Sequence, residues 1–560
     1  MPVSDAPMIV QSDLTVLLEV ASPRFAEARD RLLGFAELVK SPEHVHTYRI
    51  TPLSIWNACA AGIPPGSLLE SLEEFSRYPV PENVRAEVVD HAARYGRLVL
   101  GRRGEELVLR AEDETLADEV AHDLTLRRFL SERIDATSFR VVADDRGRLK
   151  QALTKGGHPV RDLAGHTPGE PLEIGLRATT AAGERLALRD YQEDAADSFH
   201  AKGSVAGGSG VVVLPCGAGK TIVGLSIMNR VGASTLVLTT STTAVRQWIA
   251  EILDKTTLAA DQVGEFTGHA KSVRPVTVAT YQILTHRRRA DSDFTHLDLF
   301  DSRDWGLIVY DEVHLLPAPI FQVTAGLQAR RRLGLTATLV REDGREQDVF
   351  ALIGPKTTDV PWKELESQGW IAKARCVELR MPLPSSHRMR YAAAAEKNKA
   401  RIAAENPHKP RVVAELLAAH PDDQALVIGT YLEQLEEIAE HLDLPLLTGA
   451  TPQRRRDELY AAFRSGRTRT LVVSKVANFA VDLPDASLAI QVSGSFGSRQ
   501  EEAQRLGRLL RPKPGANQAH FYTLVTRDTK EQEFAMKRQL FLCEQGYTYA
   551  IRETPGSVEP

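Results

Sequence analysis

Short continuous apolar runs alternate with helical stretches over the last two thirds of the chain. Runs at 211–214, 235–238, 276–279, 307–310 and 332–335 are too short for helices and are bounded by turns, so they read as strands buried on both faces. Strands of that kind separated by helices predict a parallel sheet covered on both sides. A second series at 425–429, 470–473, 488–492 and 521–525 predicts another such domain in tandem.

The first third has a different texture. Residues 9–20 alternate loosely and are rich in β-branched side chains, and 24–40 carries the periodicity of an amphipathic helix. Thr51 followed by Pro52 marks a helix start that runs through Trp56 to Ala61 and stops at Gly62. Apolar triplets at 98–100 and 107–109 around a turn at Gly101 to Gly104 predict a hairpin. The expectation is a mixed α+β amino-terminal region, with Phe35, Tyr48, Trp56, Phe75 and Tyr78 assigned to core packing. Residues 155–171, containing Gly-Gly-His-Pro and His-Thr-Pro-Gly-Glu-Pro, have the composition of a linker. The polar, Ala-rich stretch 381–410 predicts a connection with a short helical insertion.

At 560 residues the chain exceeds one hydrophobic core. Hydrophobic residues at 43% and charged residues at 26% are the balance of a folded soluble protein. No apolar run reaches bilayer length and residues 1–20 do not read as a secretion signal, so a cytoplasmic address is expected and no membrane partner. Cys59, Cys216, Cys376 and Cys543 show no paired spacing, which argues against structural zinc and a disulfide framework. A formal charge of -5 carries no global nucleic-acid signal, so any such grip is local.

The chemistry begins where strand 211–214 runs into Pro215-Cys216-Gly217-Ala218-Gly219-Lys220-Thr221 and a helical pattern. Glycines let backbone N–H groups wrap a phosphate, the helix amino terminus favours negative charge, and a lysine neutralises β/γ oxygens. Thr221 is placed as a Mg²⁺ ligand, with ATP as the nucleotide. Leu214 stands where the generic signature has its first glycine; a plain strand-to-helix turn is the competing reading. The run at 307–314 weighs against it, because its strand ends in Asp311-Glu312. Asp311 is suited to ordering the metal, and Glu312 to orienting and deprotonating the attacking water. Upstream, Arg189-Asp190-Tyr191-Gln192 offers an amide whose donor and acceptor match an adenine edge, although the same residues also make an ordinary helix start.

Two further elements bear on coupling. Thr336-Ala337-Thr338 follows a strand, and its hydroxyls can bridge the acid pair to a neighbouring domain. Gln504-Arg505-Leu506-Gly507-Arg508-Leu509-Leu510-Arg511 spaces arginines by three, close to one helical face. Arg508 and Arg511 are then the favoured fingers toward a γ-phosphate, against the alternative of a solvated arginine face.

This order of elements resembles superfamily 2 helicases. Within them, Leu335 to Asp343 with its Arg341-Glu342-Asp343 element, Ser474-Lys475-Val476, Asp482-Leu483-Pro484 and Phe541 to Tyr547 resemble the bacterial branch of the XPB-type DNA repair helicases. The resemblance is dense from Leu186 to Ile551. It implies an α/β fold of two tandem RecA-like domains, 171–365 binding ATP and 366–552 carrying a short thumb-like insertion near 381–406. An amino-terminal domain at 1–80, a damage-recognition-like accessory domain with linker at 81–170 and a disordered tail at 553–560 complete the expected layout. It also implies 3′-to-5′ DNA opening linked to repair, Gln504 and Asp482 at the nucleotide, an unwinding role for Arg341, Glu342 and Asp343, a nucleoid-associated address and a possible nuclease partner. Ala477-Asn478 departs from the family's Gly-Asp and bears on coupling of DNA contact to hydrolysis.

DNA, at single-strand/duplex junctions, is expected across both α/β domains, gripped through phosphates because a motor must ignore sequence. Loops 240–243 with Arg246, 267–269, 280–282, Thr430 and 448–449 are the expected contacts, while arginine runs 287–289, 330–332 and 454–456 are assigned to solvated faces. An ATP-switched scaffold, an RNA remodelling ATPase and a duplex translocase without strand separation are the competing functions.

Overall fold

The computed structural model describes residues 5–40, 44–142, 145–204, 207–215, 217–286, 296, 299–300, 302–317, 320, 324, 330–337, 346–360, 362–474, 486–494, 517–536 and 548–553. It divides into two compact units, one holding 1–39, 44–214 and 219–360, the other 361–560 together with 40–43 and 215–218.

The first unit opens with a four-stranded sheet ordered Met8–Val10, Thr15–Glu19, Val45–Arg49, Glu37–Lys40. The extended run expected at 9–20 is a hairpin, turned at Leu14 in the left-handed region (φ 66°). The helix expected over 24–40 covers only Phe25–Leu33. Its apolar period ends at Gly34, and Phe35 and Ala36 go into the core before the chain extends as Glu37–Lys40. Helix Pro52–Ala60 starts as expected, with Thr51 accepting from the Ser54 N–H. Phe35, Tyr48, Trp56 and Phe75 are buried, whereas Tyr78 is half exposed. The same core takes Val84, Val88 and Ala92 from helix Glu82–Arg94, so a boundary at 80/81 falls inside this packed body.

A five-stranded sheet follows, ordered Leu130–Arg133, Ser138–Val141, Glu106–Ala111, Leu98–Arg103, Val160–Asp162. Its central hairpin is the predicted one, with longer arms. The stretch 155–171 is less of a linker than its composition suggests. Val160–Asp162 pairs parallel with Leu98–Leu100, and Glu170 meets Arg303 and Ser234 of the following domain.

That domain is a seven-stranded, wholly parallel sheet ordered Val263–Phe266, Val276–Thr280, Thr235–Thr239, Leu307–Asp311, Arg331–Thr336, Ser209–Val213, Lys356–Asp359. All five predicted apolar runs supply strands of it. Arg332 is fully buried rather than on a solvated face, its guanidinium donating to the Leu352 and Arg330 carbonyls and the Ser209 hydroxyl.

The second unit repeats the plan with seven parallel strands ordered Leu446–Leu447, Thr470–Ser474, Ala425–Gly429, Leu488–Gln491, Gln518–Thr526, Lys373–Met381, Thr548–Glu553. The insertion expected near 381–406 is a pair of helices, Ser385–Ala393 and Glu396–Ala404. Residues 554–560 of the expected tail lie outside the described residues, while Glu553 closes the last strand.

Candidate nucleotide and coupling site

Because the first large sheet is parallel, the loops after its strands leave from one edge, where ligands gather in such sheets. Strand Ser209–Val213 leads into helix Lys220–Val231, whose first N–H groups have no partner within the helix. Gly217 and Gly219 take φ of 82° and 81° in the connecting loop. A Cβ at Gly219 would lie 2.5 Å from Gln192 Nε2, so conformation and neighbour both require glycine there.

Gln192 is buried, and its Oε1 accepts the Arg189 N–H at 3.0 Å. Arg189 Nη1 donates to the Tyr191 hydroxyl at 2.9 Å. The segment is therefore a helix start and also the neighbour of the loop's last glycine.

Lys220 Nζ stands 3.0 Å from Glu312 Oε1, with both side chains largely covered. Glu312 adopts φ 51° and ψ 53°, a left-handed turn that costs a residue with a side chain ~1–3 kcal/mol. It ends strand Leu307–Asp311 and sends the two acids to different neighbours. Asp311 Oδ2 accepts from Trp248 Nε1 at 2.9 Å and lies 3.5 Å from the Thr239 hydroxyl, while the Tyr281 hydroxyl donates to the Asp311 carbonyl at 2.9 Å. Burial, and then the Glu312 charge, raise the Asp311 carboxyl to about 6, against the opposing pull of Lys220.

From the acid pair a chain of close polar contacts leads to the Thr-Ala segment, its hydrogen bond being the one between His314 and Thr336. His314 Nδ1 lies 3.5 Å from Glu312 Oε2 and 2.7 Å from Thr336 Oγ1, and the Thr336 carbonyl accepts the Leu214 N–H at 2.9 Å. The structure thus brings together Lys220, Asp311, Glu312 and Thr336, with Thr221 on the first helical turn and Gln192 against the loop. Pro215, Gly217, Ala218 and Ala337 lie on the described loops. Cys216, Thr338, Arg341, Glu342, Asp343, Asp482, Gln504, Arg508 and Arg511, and with them Ala477 and Asn478, lie outside the described residues.

Sequence reasoning missed Trp248 and Thr239, placed Tyr281 among the expected DNA contacts at 280–282, and gave His314 no role. Trp248 shares a buried helical face with Val245 and Ile252, a period that signals core and nothing more. His314 was visible in Asp-Glu-Val-His, yet its partner is 22 residues away.

The expected DNA segments are held by local hydrogen bonds, with 242–243 and 281–282 opening the helices Thr242–Lys255 and Tyr281–Leu284. Gln282 Nε2 donates to the Thr240 carbonyl at 2.5 Å, Thr267 is buried with its hydroxyl on Glu265, and Thr430 N–H donates to Ser493 Oγ at 2.9 Å. Arg456 donates to the Thr448 and Thr451 carbonyls, whereas exposed Arg454 and Arg455 pair with Glu458. Arg287, Arg288 and Arg289 lie outside the described residues.

Two parallel-sheet domains in tandem, the first joining a phosphate loop through a strand-end acid pair to a Thr-Ala segment, define an ATP-hydrolysing motor of the superfamily 2 class. The family model described as ERCC3/RAD25/XPB C-terminal helicase matches residues 365–558, and that for the type III restriction enzyme res subunit matches 185–341. A model described as a helicase conserved C-terminal domain matches 8–135, at the amino-terminal end of this chain. The chain is 53% identical over 558 residues to the DNA 3'-5' helicase XPB of Mycobacterium tuberculosis, covering 100% of each. It is 54% identical over 549 residues to the DNA 3'-5' helicase XPB of Kineococcus radiotolerans, covering 98% of this chain and 96% of that one. A solved ATP-dependent type ISP restriction-modification enzyme bound to DNA shares the fold with TM-score 0.50 and 12% identity, over 67% of this chain and 32% of its own. The chain belongs to the XPB family of DNA helicases.

Proposed function

We propose that this chain hydrolyses ATP to move 3′ to 5′ along DNA and opens duplexes at single-strand/duplex junctions in repair-linked processes at the nucleoid. The observation that carries the reading is the Lys220–Glu312 pair at 3.0 Å. It sets the cation that would meet β/γ oxygens beside the carboxylate that would orient and deprotonate water, and an incoming triphosphate releases Glu312 by taking over the lysine. Arg189 and Gln192 are assigned to the base, the loop from Pro215 through Cys216, Gly217, Ala218 and Gly219 to the phosphates, and Gln504 and Asp482 to the nucleotide from the second domain. Arg508 and Arg511 are assigned to the γ-phosphate.

Thr221 and Asp311 fit a hard divalent cation. Both offer oxygen donors, and Mg²⁺ in phosphoryl-transfer sites needs one or two protein ligands besides the substrate phosphates. The raised Asp311 carboxyl, buried beside a second acid, is a group that a cation would return to its charged form. When bound, Mg²⁺ would supply charge neutralisation to the triphosphate.

Thr336, Ala337 and Thr338 pass the state of Glu312 onward through His314, and Arg341, Glu342 and Asp343 act in strand separation. In this reading 171–365 is the ATP-binding motor domain and 366–552 the second, with the helical pair near 381–406 as a thumb, and the residues before 171 are accessory, their first packed body running through helix Glu82–Arg94. A nuclease that cuts the opened strand is the partner class this activity would serve. The test is strand displacement on duplexes with 3′ or 5′ tails. Opening confined to 3′-tailed duplexes with ATP is expected; opening from 5′ tails, or ATP hydrolysis with no strand separation on either substrate, overturns the reading.

A further inference from the structure

The strands Ser209–Val213 and Arg331–Thr336 carry the phosphate loop and Thr336 at their carboxyl ends. Their amino ends border a second polar site. A cavity of about 130 Å³ is lined there by Gly165, His166, His200, Gly203, Gly208 and Arg331, with Ser204 and Gly207 completing the wall. It lies five residues of strand from the phosphate loop, on the order of 17 Å along the sheet.

Three observations mark the cavity as built for a ligand. Arg331, half buried, donates only to the backbone carbonyls of Thr167 and Pro168, at 3.2 and 3.5 Å, and no carboxylate among the described residues pairs with it. His166 Nε2 lies 3.4 Å from Ser209 Oγ, while its Nδ1 is buried without a hydrogen-bond partner. His200 and Gly203 also line it, and the turn between them runs through Ala201, Lys202 and Gly203, three successive residues with φ of 45°, 54° and 76°. Two of them carry side chains that disfavour that region, and such strain collects at binding sites.

The surrounding field is positive. Arg146, Lys150 and Arg332 are buried nearby, and Asp162 is taken up by Arg146 and Lys150. Burial, with Arg332 and Arg146 adding to it, presses the His166 imidazole down to about 3, so the ring is neutral and one nitrogen can donate. The volume equals about four water molecules at ~30 Å³ each and is well below the few hundred Å³ of a pocket for a nucleoside-sized ligand.

We propose that this cavity binds one phosphate-class oxyanion through the Arg331 guanidinium and the His166 ring. The ion would tie the exit of the accessory domain, at Gly165 and His166, to the first residue of the strand that ends at Thr336. A free phosphate ion and a backbone phosphate of nucleic acid share this chemistry, and the test separates them.

The full-length chain is used in a Lys220→Ala background, which weakens anion binding at the phosphate loop. Its thermal midpoint is followed against sodium phosphate, with sodium chloride at matched ionic strength as reference. A parallel series uses a six-nucleotide oligodeoxynucleotide at equal phosphate concentration. A saturating rise in the midpoint is expected, and it disappears when Arg331→Gln or His166→Ala is added. The series whose rise is lost in the Arg331→Gln or His166→Ala variant identifies the source. Because Arg331 also holds two carbonyls, His166→Ala carries the comparison if Arg331→Gln does not fold. A midpoint that moves equally with and without these substitutions, or that moves with neither probe, overturns the proposal.

Discussion

Asp311 has two pulls on it that the nucleotide-free protein leaves unbalanced: burial beside Glu312 favours the neutral acid, while Lys220 favours the carboxylate. Its folded value, about 6, lies above the ordinary 3.8. Between those values the folded state holds the proton more tightly than the unfolded chain, so this residue's contribution to stability is full below pH ~4 and is lost as pH rises through ~6. Asp311→Asn is expected to remove that dependence and to raise the thermal midpoint of the nucleotide-free protein at pH 7, while abolishing hydrolysis; midpoints from pH 4 to 8 check it. Trp248→Phe keeps the packing and removes the 2.9 Å indole bond to Asp311. A hydrogen bond to a charged group is worth ~1.5–3 kcal/mol, so kcat for ATP is expected to fall ~10-fold or more with the fold intact by circular dichroism. Roles of this kind were only half legible. Lys220 announces itself by the glycine loop before it, and Asp311 and Glu312 by the apolar strand they end, although lysine and acid lie 92 residues apart. Trp248 does not, because its partner is 63 residues away and its helical period is that of any core residue.

At the scale of elements, five strands of the first large sheet and four of the second could be read because burial on both faces writes them as continuous apolar runs. Val263–Phe266, Lys356–Asp359, Lys373–Met381, Leu446–Leu447 and Thr548–Glu553 carry no such run. The error at 24–40 has the opposite cause. Phe35 and Ala36 continue the apolar period of the helix but belong to a core that the following strand completes, and periodicity does not record where a helix stops being covered. Buried polar joints were equally invisible. In the second unit Lys409, at the start of helix Lys409–Ala419, donates to both Glu531 oxygens at 2.8 and 2.9 Å and to the Val492 carbonyl at 2.6 Å. Glu531 Oε2 in turn accepts the Thr526 N–H. Removing one partner of a buried ion pair typically costs ~3–5 kcal/mol, because the other charge is stranded. Lys409→Met is therefore expected to lower the urea midpoint of the second unit markedly, and Lys409→Met with Glu531→Leu to recover most of the loss. Equal destabilisation by single and double variants would count against the joint.

Across the molecule, the accessory sheets do not hang from the first motor domain by a linker. Asn57 Oδ1 accepts the Lys356 N–H at 2.7 Å, and fully buried Asp348 accepts from Gln151 Nε2 at 2.5 Å and pairs with Lys155 at 3.1 Å. Asp348 lies on helix Glu346–Leu352, the next helix among the described residues after Thr336. Asp348→Ala is expected to speed amide exchange in both this helix and Arg146–Lys155 by an amount worth ~1–3 kcal/mol; exchange changed in one helix alone would show that they are not joined through this residue. The domain order could be read from texture, but these joints between separately patterned regions could not. All of them serve one engine, and its core is the pairing of Lys220 with Glu312. The most direct measurement is ATP hydrolysis by the full chain, with and without DNA, for the wild type and Glu312→Gln. DNA-stimulated hydrolysis that falls ~10²–10⁴-fold in Glu312→Gln, with ATP still bound, is the predicted result. Hydrolysis indifferent to DNA, or a Glu312→Gln rate equal to wild type, would contradict it.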